Sequence, residues 1–235
     1  MNGAAPDAGR IAGIGALAAW GVAASYLASG LFALLMPPEL QGRPEITPEQ
    51  FWTVLSQEPN AHLLYHAAFV SAGLFGLAAV PALSAAVWRA HPGAVLWAGS
   101  AGWLGFAVLA RSHLMELAWD RQIIPLYPTA SPAFREAVHV VAGLALDVPD
   151  GVLTYGAIGA WVAVVAVLAR RLGAPRSFAW LGGLAALSLV AGMVGYALLL
   201  RPLLVLSIGA GGFVLLPAWF AGAALWLRRT RHPAR

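Results

Sequence analysis

Apolar residues gather along this chain in six long stretches, roughly Ile11–Met36, Ala61–Trp88, Gly93–Ala118, Val148–Ala169, Ser177–Leu200 and Pro202–Leu227. A helix needs about 20 apolar residues to cross about 30 Å of hydrocarbon, and each stretch is long enough. The pattern predicts an all-α fold: a polytopic membrane bundle of six transmembrane helices in one domain, residues 1–235. The third stretch departs from the others. It carries Arg111, His113 and Glu116 in its last two turns, and its uncharged part, Gly93 to Ala110, is only 18 residues. That charged end is expected near the interface or inside the bundle.

Two connecting segments on one side are long. In residues 37–60, Thr47-Pro48-Glu49-Gln50 combines an N-cap, a proline at the first helical position and a Gln three residues after the cap. Phe51, Trp52 and Leu55 follow at helical spacing, which predicts a short helix lying on the membrane surface. In residues 119–147, Ser131-Pro132 repeats the start signal, and Phe134, Val138, Val141 and Leu144 form an apolar stripe. This segment is either a second surface helix or a prefix to span four broken near Pro149. Glycines recur within the spans at Gly73, Gly76, Gly102, Gly105, Gly192 and Gly195, as close helix contacts in lipid require.

Composition agrees. Hydrophobic residues make up 60% of the chain and charged ones 10%, against about 25% in a soluble domain. Too little charge is present to cover a globular surface. Lysine is absent, so the pI near 10.1 reflects arginine on membrane flanks rather than a basic face for nucleic acid. The lipid bilayer is the expected partner, with other membrane subunits a further option. With no cysteine, disulfides, thiolate ligands and iron–sulfur clusters are ruled out. The first span is too long for a signal peptide and has no small-residue cleavage site in the right place.

Charge also sets an orientation. If the N-terminus is inside, Arg10, Arg89, Arg170, Arg171, Arg176, Arg228, Arg229, Arg231 and Arg235 fall on the inner side. Only Arg43, Arg111, Arg121, Arg135 and Arg201 fall outside. Of the carboxylates, only Asp7 is inner. The positive-inside rule then predicts a multi-pass protein of the bacterial inner membrane with both termini cytoplasmic.

The outer level collects the chemistry. His62 and His66 share one face of span two, and His113, Glu116 and Asp120 share one face of span three. Asp147, Asp150 and Thr154 share a face where span four begins. Ionisable groups at membrane depth are costly and turn to the bundle interior, where they pair or line a wet cavity. A polar cavity open to the outside between spans two, three and four is therefore expected. Its candidate ligand-binding residues are His62, His66, Arg111, His113, Glu116, Asp120, Asp147 and Asp150.

The same residues admit plainer roles. Asp147 suits a helix cap before Pro149, and Arg111 suits an ion pair with Glu116, Asp120 or Asp150. As metal ligands the set would be His66, His113 and Glu116, giving nitrogen and oxygen donors for zinc, iron or manganese. For haem, His66 with His113 is the one pair on different spans at matched depth. Trp20, Trp52, Trp88, Trp119, Trp180 and Trp226 lie near span ends as an aromatic belt, while Trp97, Trp103, Trp161 and Trp219 sit deeper and suit packing. There is no Gly-rich phosphate loop, no nucleophile elbow and no lysine for a retinal Schiff base.

The opening Arg10-Ile11-Ala12-Gly13 resembles the start of an uncharacterised bacterial membrane family, the one catalogued as domain of unknown function 4386. Ala169-Arg170-Arg171-Leu172-Gly173-Ala174-Pro175-Arg176, followed by Trp180-Leu181-Gly182-Gly183 and Gly192, resembles that family's junction between its later helices. The resemblance spans about two-thirds of the chain and implies a six-helix fold. It transfers no catalytic residue. Three functions follow from the residues: a membrane protein binding a small or lipidic ligand in the outer cavity, with or without enzymatic activity; an accessory subunit of a larger membrane complex; and a metal- or haem-binding redox protein.

Overall fold

Helix is the only regular structure among the described residues of the computed structural model, which cover 8–41, 45–143 and 147–231. Asp7, Arg43, His232 and Arg235 lie outside them. The helices are α1 (Ala8–Leu35), α2 (Pro48–Gln57), α3 (Asn60–Val87), α4 (Pro92–Ile123), α5 (Pro132–Gly143), α6 (Asp147–Arg171), α7 (Arg176–Ala197), α8 (Arg201–Leu206) and α9 (Leu216–Arg231). Six helical segments are long and apolar enough to cross a membrane, as the hydropathy pattern predicts. They pack as a closed ring in the order α1, α3, α4, α6, α7 and then α8–α9 back to α1.

Two spans depart most from their sequence boundaries. Span three continues to Ile123 rather than ending at Ala118. Span six is not one regular helix, because a π-helical stretch over Ser207–Leu215 joins α8 to α9. Gly209, Gly211 and Gly212 make that stretch pliant, and the Ser207 hydroxyl donates to the Ser188 carbonyl of α7 at 2.6 Å. The second surface segment resolves as a helix of its own, α5, ending at Gly143 before α6 starts at Asp147.

Side chains sort by solvent class. Trp161, Trp219, Phe106 and Phe220 fill the middle of the ring and meet edge to face or tilted. The indole N–H of Trp161 donates to Ser84 Oγ at 3.2 Å, which offsets the cost of burying it. Outward faces carry Leu17, Leu34, Trp97, Trp103 and Trp180, all well exposed, as a lipid-facing surface requires. Trp97 and Trp103 thus leave the packing role expected of the deeper tryptophans to Trp161 and Trp219. Gly76 and Gly102 lie flat against Phe106 and Trp161, with no room for a Cβ.

Outside the ring a second apolar cluster forms a cap. Thr47 and Gln50 complete the capping box that starts α2: the Gln50 amide donates to Thr47 Oγ1 at 3.2 Å and the Thr47 amide to Gln50 Oε1 at 2.9 Å. The helix can then bury Trp52 and Leu55 against Met36, Leu40, Ile123, Tyr127 and Val138. Each such side chain contributes about 1.5–3 kcal/mol when fully buried. The cap covers the ends of α3 and α4 that carry His62 and Asp120.

Candidate functional site

His62 stands in the first turn of α3 and His66 one turn deeper, so both imidazoles face the same neighbour, with ring centroids 4.5 Å apart. That neighbour is the last part of α4. Because α4 runs on to Ile123, Asp120 remains helical and reaches His62, with Nε2 to Oδ2 at 3.2 Å. Two turns down α4, His113 Nδ1 meets His66 Nδ1 at 2.9 Å. Asp120 is 2% exposed, His66 8% and His62 9%.

One donor atom from each of His62, His66 and Asp120 lies within 4.8 Å of the others, and this is the group with metal-ligand convergence among the described residues. The His62–Asp120 approach is close, yet Asp120 Oδ2 has no hydrogen-bond partner, and neither has His62 Nδ1. The ring N–H is therefore not aimed at the carboxylate. An orphaned buried polar atom costs about 1–3 kcal/mol and calls for an explanation. Two donors each 2.0–2.2 Å from one tetrahedral ion lie roughly 3.4 Å apart, close to the 3.2 Å observed here.

Aromatic rings wall this centre. Phe69 stacks on His113 with centroids 4.5 Å apart, Tyr65 stands edge-on to His66 at 5.2 Å, and Phe51 of α2 stands edge-on to His62 at 5.7 Å. These contacts fix ring orientation, as ligand imidazoles require.

The other expected residues fall into separate places. Arg111 pairs with Asp150 of α6 at 3.1 Å, one of the partners its position allowed, and the Arg111 side chain is two-thirds exposed. Glu116 is half-buried on α4 and lies outside the converging group. Asp147 opens α6, and its side chain lies outside the described residues. A further histidine outside that set, His139, belongs to the cap, where Nε2 meets the Tyr127 hydroxyl at 2.8 Å. Burial pushes the Tyr127 phenol pKa up, the Glu49 carboxylate adds to this, and the Arg135 guanidinium opposes it. The phenol thus stays a proton donor at neutral pH.

Haem does not fit the histidine pair foreseen for it. Axial nitrogens on opposite faces of one iron stand about 4 Å apart with the porphyrin between them, whereas His66 and His113 are bonded directly at 2.9 Å. Sequence spacing grouped His113 with Glu116 and Asp120 on one face of span three. It missed the pairing of His62 with Asp120, which depends on α4 running on to Ile123. No family model, no curated protein and no solved structure matches this chain. The functional reading therefore rests on geometry.

Proposed function

We propose that this multi-pass membrane protein holds a divalent transition-metal ion at its outer end, bound by His62, His66 and Asp120. The convergence of three buried donors, one pair of them close without hydrogen-bond geometry, carries the reading. Two histidines and one carboxylate suit zinc or ferrous iron, and a three-residue site leaves a coordination position open. A small ligand entering from the outer side would bind there, so the metal reading contains the ligand-pocket reading. His66 would use Nε2 for the ion while His113 holds Nδ1, a role that fixes the tautomer.

The test is a metal titration. Protein purified in detergent and stripped with chelator should take up one equivalent of cobalt(II), with the visible absorption of a low-symmetry site, and zinc should displace it. Substituting His62 with Ala should weaken uptake by about 100-fold or more, since even an outer partner is worth 10–100-fold. Wild-type protein that takes up no cobalt and carries no metal as isolated overturns the proposal. The His66–His113 hydrogen bond favours a second reading, a purely structural polar network, and that null titration is its expected result.

The orientation belongs to the same proposal. The chain has no cysteine, so single cysteines at Glu45 and Thr230 report cleanly. On intact cells an impermeant maleimide should label position 45 and spare position 230. The opposite pattern would place the histidine centre on the cytoplasmic side.

A further inference from the structure

A trough on the lipid-facing side, about 600 Å³ in volume, runs between α6 and α7. Its floor and walls are made by Gly159, Ala163, Gly183 and Leu187, and its mouth by Arg170 and Arg171. Gly183, on the trough wall, has open space beside it. Gly182 beside it is closed off by Ala166 and Trp219, but a Cβ on Gly183 would meet nothing within 4 Å. Glycine costs a helix interior about 1 kcal/mol relative to alanine, and here no packing contact within the chain requires it. What it does is keep the trough open.

Length and charge identify the occupant. From Gly159 to Arg170 is eleven residues, about 16 Å along a helix. That matches one leaflet, half of about 30 Å of hydrocarbon. A docked transmembrane helix would need a trough crossing the full thickness. Charge also opposes a symmetric contact between two copies, which would set one exposed arginine pair against another. Both arginines stand in the last turn of α6, at the end of its apolar span, where Arg170 makes only a long 3.4 Å contact to the Ala174 carbonyl. We infer that this trough binds an anionic phospholipid of the leaflet on the side of the chain ends, with an acyl chain along Gly183 and the phosphate at Arg170 and Arg171. This site is independent of the histidine centre.

The probes are phosphatidylglycerol and phosphatidylcholine added to delipidated protein, with binding read by native mass spectrometry and by thermal shift. The wild type should prefer phosphatidylglycerol. The double substitution Arg170→Gln, Arg171→Gln should reduce that preference by about fivefold for each arginine. Gly183→Leu puts a side chain into the trough from a position whose Cβ meets nothing within 4 Å, and it should remove retention of both lipids while the protein stays monodisperse. Leu187→Trp, on the same trough, is a second plug should Gly183→Leu fail to fold. Unchanged lipid retention in a folded plug variant overturns the inference. So does an unchanged headgroup preference in the double variant, or a plug variant that turns a dimer into a monomer, which would make the trough a helix-docking surface.

Discussion

Asp120→Asn should abolish metal-dependent stabilisation while leaving the metal-free protein as stable as the parent, or slightly more so. At a metal concentration of 100 times Kd, binding to the folded state contributes about 2.7 kcal/mol, or roughly 5–10 °C in Tm for a chain of this size. The variant should lose that whole increment. In the metal-free protein the Asp120 carboxylate is 2% exposed and its Oδ2 lacks a hydrogen bond, so an uncharged amide of the same shape removes a desolvation cost. The structural-network reading makes the opposite prediction. If His62 and Asp120 were a buried ion pair, removing one partner should cost about 3–5 kcal/mol with or without metal. Thermal unfolding of both proteins, with chelator and with zinc, separates the two. A fall in metal-free Tm with no zinc response in the parent would sink the metal centre.

How much of this could be read from the chain differs from residue to residue. The six spans were legible because run length in a 30 Å hydrocarbon slab is a property of sequence alone. The α2 start was legible because a capping box is local: Thr47, Pro48 and Gln50 satisfy one another without help from the fold. Asp120 was legible as a polar residue on the charged end of span three but not as the partner of His62. A span boundary drawn from charge stops at Ala118, whereas the helix stops where packing stops supporting it. Ile123 buries itself against Trp52 and Tyr127 in the cap, and the extra turn carries Asp120 to the top of α3. Spacing likewise put Glu116 beside His113 on one face of α4, since three residues bring side chains to the same side of a helix. It could not say which residues of that face meet α3, because the rotation and height of one helix against another are set by the contacts between them. The π-helical stretch is a further case. Its glycines permit it, but the Ser207–Ser188 bond that anchors it joins two spans.

Gly73 shows how those interhelical contacts govern the centre at a distance. A Cβ at Gly73 would lie 2.6 Å from Ala110 Cβ, 2.8 Å from Ala110 N and 2.9 Å from Ala110 Cα, so it would meet the backbone of α4 and not a side chain that could turn aside. His66 lies seven residues, two helical turns, before Gly73 on α3, and His113 lies three residues after Ala110 on α4. Gly73→Ala should therefore push α4 away from α3 and cost about 1–3 kcal/mol by overpacking, and Gly73→Leu more. The same displacement should part His66 from His113, whose 2.9 Å bond has no slack, and draw Asp120 away from His62. Cobalt uptake should fall in step with Tm, although no ligand has been touched. Gly93→Ala, on the facing helix α4, is the control: its Cβ would meet only His91 Cε1, at 4.0 Å, and both quantities should stay unchanged. Gly73→Leu protein with a lowered Tm but undiminished cobalt affinity would show that the α3–α4 crossing does not hold the centre together.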